Sequence, residues 1–242
     1  MHEIKGDSMD MNKNKDNRQK VTVAILTRNE EKTIGKVIDG CRRFADELIV
    51  VDGHSKDSTR EVARERGVKV IMDNGKGKGD GIKTAINNIE EGIIVLIDAD
   101  GSHLPEDIPR LVKPIQDGIS EHVHGSRILG GSEEFNGSFL EIMRLLGGNI
   151  ITLAINYKLN VRLTDSQNGF RAISAALAKK LDLKEEITTI EQEMVIKTIK
   201  MGYKIFEVPA HEYKRLYGNS VIKLRKVWLR YVYTCLKYLF FK

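Results

Sequence analysis

The chain has 242 residues, 41% hydrophobic and 30% charged, the balance of a soluble globular protein and the length of one α/β domain with small appendages. Its two cysteines, Cys41 and Cys235, are far apart and lack C-x-x-C spacing, which excludes a disulfide framework and a thiolate zinc site and suits a reducing cytosol. The net charge of +5 is uneven: residues 21–210 carry 26 Lys and Arg against 29 Asp and Glu, while the last 32 residues carry eight against one. A basic tail on a mildly acidic body argues against nucleic acid and for an anionic surface or phosphate met at one end.

Residues 1–20 are polar, with no apolar core for a signal peptide, and read as a disordered leader. From Val21 apolar strands alternate with amphipathic helices, which predicts βαβ units and a parallel sheet. Val21–Thr27 reads as the first strand. Glu31–Arg43 reads as a helix with Ile34, Val37, Ile38 and Cys41 on one face. Leu48–Val51 and Val68–Met72 are the next strands, separated by a helix over Ser58–Arg66. Gly-rich Asp73–Gly81 leads into a helix ending near Glu91, and Ile93–Ile97 is a strand. Pro105 and Pro109 open a helix running to about Gln116. His122–Gly125 reads as a further strand, with His122 and His124 structural rather than metal-binding. Beyond Gly130 the rhythm breaks: Gly130–Ser132 reads as a mobile loop, Phe139–Tyr157 as an apolar helix in two pieces around Gly147-Gly148, and Leu163–Arg171 as a polar turn. Ile190–Met201 is then a helix and Tyr203–Val208 a strand closed by Pro209.

At the C-terminus, residues 222–242, Lys223, Lys226, Arg230, Thr234 and Lys237 form one narrow polar stripe at helical spacing, amid Leu, Val, Trp, Tyr and Phe. The segment is too short and too charged to span a bilayer. It reads as a basic amphipathic helix lying in a membrane interface, the competing reading being a helix packed on a homodimer partner.

The strand Ile93–Ile97 ends in Asp98-Ala99-Asp100. Two carboxylates at the carboxyl end of a buried parallel strand suit Mg²⁺ or Mn²⁺ with a substrate phosphate as the further partner; a solvated Asp turn is the plainer reading. Thr27–Glu31 closes the first strand, Val51–Thr59 the second, and Asn74–Gly79 (Asn-Gly-Lys-Gly-Lys-Gly) precedes the third helix. A parallel sheet gathers all of these on one edge, where carboxylates and amides meet a base and ribose, and glycines and lysines meet phosphates.

This ordered set resembles the family 2 glycosyltransferases of GT-A fold, and among them the polyprenyl-phosphate glycosyltransferases of dolichol-phosphate mannosyltransferase type. The matching motifs are Asn29-Glu30, Asp52 with Ser55–Thr59, Gly77-Lys78-Gly79, Asp98-Ala99-Asp100, Gly125-Ser126-Arg127, Asp165–Arg171, Glu207-Val208-Pro209 and Arg215–Ser220. The resemblance implies a Rossmann-like nucleotide-diphospho-sugar transferase domain over residues 21–221, with a mostly parallel sheet flanked by helices. It implies an inverting transfer of sugar from a nucleoside diphosphate sugar (GDP-mannose, or UDP-glucose or UDP-N-acetylglucosamine) to a polyprenyl or dolichyl phosphate, at the cytoplasmic membrane face, by a peripheral enzyme. A soluble transferase acting on a hydroxyl acceptor is the alternative. Thr27, Asn29, Glu30, Asp52, Lys78, Asp98 and Asp100 are the implied donor-binding residues, and Asp98, Asp100 and Ser102 the metal ligands for Mg²⁺ or Mn²⁺. Asp100, Arg127, Asp165, Arg171 and Arg215 are the implied catalytic residues, the arginines as phosphate forks and Asp165 as base if one is needed. Glu191 and Glu193 are weaker base candidates, read as solvated helix-start residues. Gly53-His54 departs from the usual Asp-Gly and leaves the donor base open.

Overall fold

The computed structural model describes residues 18–133, 139–217 and 224–241. Residues 1–17 of the expected leader, Gly218–Ser220 of the last motif and Lys223 of the stripe lie outside the described residues. Strands Val21–Thr27 (β1), Glu47–Asp52 (β2), Lys69–Met72 (β3), Ile93–Asp98 (β4), His122–Ser126 (β5), Arg171–Ser174 (β6) and Ile205–Pro209 (β7) form one sheet in the order β3-β2-β1-β4-β6-β5-β7. β6 runs antiparallel to β4 and β5, and the remaining pairs are parallel. The α/β architecture with a mostly parallel, helix-flanked sheet is the one the sequence predicts.

β1 is buried at all seven residues because it has β2 and β4 on its edges and helices on both faces. One core layer joins β1 and β4 to helices Ile34–Cys41 (α1) and Ile108–Gln116 (α4) through Ile25, Ile34, Ile97 and Leu111. The other joins the opposite sheet face to helices Lys78–Asn88 (α3), Ala175–Lys180 (α7) and Ile190–Lys200 (α8) through Leu26, Ile82, Leu96 and Met194. Each fully buried Ile or Leu contributes about 1.5–3 kcal/mol. Helices Thr59–Glu65 (α2) and Arg127–Gly130 (α5) complete the α-helical segments before the long helix described next.

Three expectations are corrected. Phe139–Leu159 (α6) is one helix rather than two. Glycines lower helix stability by only about 1 kcal/mol each and keep their N–H donors, so Gly147-Gly148 does not end it. Gly130–Ser132 is tied down rather than loose: Gly131 N–H donates to Arg127 O, Glu212 N–H to Gly131 O, and Glu133 N–H to Glu212 O. Residues 163–170 are irregular, as expected, but the turn ends one residue early: Arg171 begins β6, a four-residue strand that the expected elements lack.

The C-terminal helix Leu224–Leu236 (α9), extended by a π-helical turn over Lys237–Phe241, turns Arg230, Thr234 and Lys237 of its polar stripe toward the body. Arg230 and Lys237 donate to the Glu185 carboxylate at 2.9 and 2.8 Å, joined by Thr234 and the Tyr238 hydroxyl. Its apolar residues divide: Cys235, Tyr238 and Leu239 are buried in a core cluster with Ile155 and Ile196, whereas Trp228, Leu229, Tyr233, Phe240 and Phe241 are exposed, as are Ile150, Leu153 and Tyr157 of α6, which packs against α9. Among the described residues no helix is long and apolar enough to cross a membrane.

Glu185 therefore fastens α9 to the body. Burial alone would raise its carboxyl, but hydrogen bonds from Lys237, Arg230 and Thr189 and the Lys237 charge outweigh it and hold the group at about 2. A carboxyl lowered from 4.5 to about 2 contributes stability that is complete above pH 4.5 and lost as pH falls toward 2. Glu185→Gln is expected to cost about 3 kcal/mol at pH 7 and to flatten the loss of stability between those two pH values, measured by urea unfolding across that range.

Candidate active site

The carboxyl ends of β1, β2 and β4 lie side by side and carry the residues the sequence marked. Much of that set holds itself together. Asn29, in a left-handed turn with φ 57°, accepts Lys56 N–H on its side chain at 2.7 Å, and its own N–H donates to Ser55 Oγ at 2.8 Å. Glu30 N–H donates to Thr59 Oγ1 at 2.8 Å. Asp52 is fully buried, with Oδ1 accepting Ser55 N–H at 2.9 Å and Oδ2 accepting the Ser55 hydroxyl at 2.5 Å. These residues build the edge, and Asp52 is committed to its own turn. Thr27 Oγ1 is buried without a partner at the end of β1.

The centre of the cleft is a lattice of opposed charges. Lys78 Nζ lies 2.8 Å from Asp98 Oδ2 and 3.2 Å from Glu191 Oε1. Burial would lower the ammonium, but the Asp98 and Glu191 charges raise it above the ordinary lysine range. Gly169 lies directly over this cluster: a β-carbon there would sit 2.5 Å from Lys78 Nζ and 3.5 Å from both Asp98 Oδ2 and Glu191 Oε1. Gly79, next to Lys78, packs against the main chain of residues 185–187: a β-carbon on it would lie 2.6 Å from Glu185 O. Asp100 accepts from Ser102 N–H at 3.0 Å and Ser102 Oγ at 2.7 Å, and its Oδ2 is 3.6 Å from Arg215 Nη1. Arg215 also pairs with Glu30. Burial raises the Glu30 carboxyl, and the Arg215 charge opposes that shift. The strap carrying Arg215 is pinned across the end of β4 by Tyr213 N–H to Ser102 O and Leu216 N–H to Asp100 O.

Among the described residues no three His, Cys, Asp or Glu side chains are arranged to cage a metal. The donor set is an open one: two carboxylates, each neutralised by a side-chain cation able to swing away, with Glu191 Oε2 buried and unpartnered beside them. Hard oxygen donors of this kind fit Mg²⁺ or Mn²⁺ shared with water and a diphosphate.

The second half of the chain gives its marked residues other work. Arg127 is clamped to Asp165 through Nε at 2.7 Å and Nη2 at 3.0 Å, with Nη1 3.4 Å from Glu212. Burial would raise the Asp165 carboxyl, but the Arg127 charge and hydrogen bonds hold it well below the usual carboxylate range. Such a group is a poor proton acceptor. Arg171 is fully buried: its guanidinium donates to Asn168 O and lies 3.4 Å from Glu191 O. It supports the loop that carries Gly169 and presents no fork to the cleft. Glu207 accepts Thr164 N–H at 2.7 Å and Asp165 N–H at 2.9 Å, and meets His124 Nε2 at 3.1 Å. His122 Nδ1 lies 3.0 Å from Thr198 Oγ1. Both histidines are structural, as the sequence suggested.

Glu191 and Glu193 are buried rather than solvated, because α8 starts inside the body. Glu193 accepts Lys184 and Glu185 N–H. Glu191 faces the cleft, and the signal for it was its place just after the polar segment that follows β6. Asp165→Asn is expected to lower stability by about 3–5 kcal/mol along with activity, because it strands the Arg127 charge. Paired measurements of unfolding and turnover check this; lost turnover with unchanged stability would return Asp165 to a chemical role.

The description "Glycosyl transferase family 2" matches residues 22–185. A UDP-N-acetylglucosamine–dolichyl-phosphate N-acetylglucosaminyltransferase of Methanococcus voltae is 30% identical, over 87% of this chain and 94% of its own. A dolichyl-phosphate hexose transferase of Haloferax volcanii is 29% identical over 78% and 81%. The glucosyl-3-phosphoglycerate synthase of Mycobacterium tuberculosis, solved with Mn²⁺ and UDP-glucose, shares the fold at a TM-score of 0.72 and 24% identity, over 91% of this chain and 79% of that one. With its strand-end motifs, its sheet and these likenesses in agreement, the chain belongs to glycosyl transferase family 2 and is a glycosyltransferase.

Proposed function

We propose that this enzyme moves a sugar, with inversion, from a nucleoside diphosphate sugar to a polyprenyl or dolichyl phosphate, as a peripheral protein at the cytoplasmic face of a membrane. The observation that carries the acceptor is the Asp165–Arg127 clamp. A hydroxyl acceptor needs a carboxylate to take its proton, and the motif carboxylate is already engaged. A phosphate monoester, with a second pKa near ~6, arrives ionised and needs charge neutralisation instead. The printed activities of the Methanococcus and Haloferax relatives support the same acceptor class.

Asp98 and Asp100, with the Ser102 hydroxyl, are the residues that would hold Mg²⁺ or Mn²⁺. When bound, such an ion supplies Lewis-acid charge to a leaving diphosphate. Lys78 is poised between Asp98 and Glu191 to transfer its charge to a phosphate once a donor enters. Arg215 does the same from the strap, exchanging Glu30 and Asp100 for phosphate oxygens. Arg127, held by Asp165 and Glu212, fixes the floor on which the acceptor lies. The outward apolar sides of α6 and α9 support an interfacial position. Exposed Trp, Tyr, Phe and Leu side chains are what an interface-bound helix buries, and Lys158 over the Phe240 ring, 4.6 Å from its centroid, adds a cation at the same place.

Purified protein with Mn²⁺ or Mg²⁺ and a short polyprenyl phosphate in detergent is expected to place radiolabelled sugar in the organic phase, and to lose that label with a chelator. Leu229→Glu with Phe240→Glu is expected to spare transfer to the detergent-dispersed acceptor while abolishing sedimentation with anionic liposomes. Metal-dependent transfer to soluble acceptors, with no organic-phase label, would replace this reading with a hydroxyl-acceptor enzyme.

A further inference from the structure

Away from the charge lattice, at the β2–β3 end of the same edge, Asp73 directly follows β3. Its side chain is 4% exposed. Oδ1 accepts Gly75 N–H at 2.7 Å and lies 3.6 Å from His54 Nε2. Oδ2 accepts no hydrogen bond among the described residues. Two glycines leave that oxygen uncovered: a β-carbon on Gly53 would lie 3.6 Å from it, and one on Gly81 3.5 Å. His54 stands beside it in a left-handed turn with φ 62°, its Nε2 2.9 Å from Asp73 O. Neighbouring Asp52 is fully buried, with both oxygens turned to Ser55.

We infer that Asp73 selects the nucleobase of the donor, its free Oδ2 accepting the single ring N–H of uracil. Given a nucleoside diphosphate sugar in the cleft, on which this inference rests, the strand order places β3 three strands from β4. At the usual strand spacing that is on the order of 14 Å, the separation a nucleoside bridges between its base and a diphosphate held by Lys78 and Asp98. The number of open acceptor positions then chooses among bases. Uracil presents one N–H between two carbonyls, which matches one uncovered oxygen. Guanine presents two adjacent N–H donors on that edge and asks for both carboxylate oxygens side by side, whereas Oδ1 is turned toward Gly75 N–H and the His54 ring. Cytosine presents a bare ring nitrogen, so acceptor would face acceptor with no proton between them. Burial raises the Asp73 carboxyl, the mark of a carboxylate short of solvation and satisfied by an incoming donor.

The test is equilibrium binding of UDP, CDP and GDP to the full chain with Mn²⁺. The wild type is expected to favour UDP over both others by at least about tenfold. Asp73→Asn keeps an acceptor for Gly75 N–H but turns an amide donor toward the base, so UDP is expected to weaken at least about tenfold while CDP gains and the preference narrows or inverts. Gly53→Ala, whose methyl would lie in ordinary contact with Oδ2, is expected to weaken UDP by covering that oxygen while leaving the carboxylate itself unchanged; thermal melting confirms that each variant is folded. A UDP preference unmoved in both variants, a loss shared equally by all three nucleotides, or tightest binding of GDP by the wild type would overturn the assignment. Failure of the wild type to bind any of the three would instead remove the donor-site reading beneath it, whereas UDP binding without lipid transfer would leave the assignment of Asp73 standing and overturn only the acceptor.

Discussion

Like charges crowded at one edge of a sheet are the constraint around which this protein is built. Glu30, Asp98, Asp100 and Glu191 converge there, where no single element could hold them against mutual repulsion. Lys78 bridges two of them and Arg215 the other two, and each cation comes from a segment distant in sequence from at least one of its partners. The loop before α3, the start of α8 and the strap after β7 are thereby drawn together. The same pairs give the cleft its chemistry. A cation held between two carboxylates in a partly dry site is a counter-charge already in position for an anionic ligand, and its release leaves oxygens for a metal. Stability and function use the same contacts here.

A second set of pairs behaves differently. Arg127 is held to Asp165 by two hydrogen bonds and Arg171 is fully buried against Asn168 and Glu191, so exchanging their partners for a ligand would leave a charge without compensation. The distinction between exchangeable and locked pairs follows exposure. The Lys78 and Arg215 side chains retain a fifth to a quarter of their surface in solvent, whereas Arg171 retains none. Residues in equally recognisable motifs thus divide into those with exchangeable ion pairs at the open edge and those locked beneath it.

This division explains what the sequence could and could not disclose. β1, β2 and β4 were legible because their apolar runs are largely buried and give way to polar or carboxylate residues, and β3, a four-residue edge strand with no buried residue, from its Val70-Ile71-Met72 run. The donor edge was legible because a parallel sheet brings such strand ends together. β6 was not, since four residues beginning with an arginine carry no strand period, and only insertion between β4 and β5 makes them one. Glu191 was underrated because a glutamate at a helix start is usually solvated, and its burial depends on Lys78, more than a hundred residues earlier. The α9 stripe was legible as a stripe, but its inward direction was not, because its partner, Glu185, is a single carboxylate in an unrelated loop.

That direction matters beyond α9. Glu185 takes the helix's cations on its side chain, while its main-chain oxygen lies against the Gly-Lys-Gly turn at Gly79, so tightly that a methyl group would not fit. The helix that presents apolar side chains to its surroundings and the lysine that neutralises Asp98 therefore rest on opposite faces of one short segment. A polar stripe turned outward would have made α9 an ordinary solvated helix with an apolar underside. Turned inward, it satisfies one buried carboxylate, fixes the position of the turn at Gly79, and leaves Trp228, Tyr233, Phe240 and Phe241 exposed, where burying them takes a surface other than this domain.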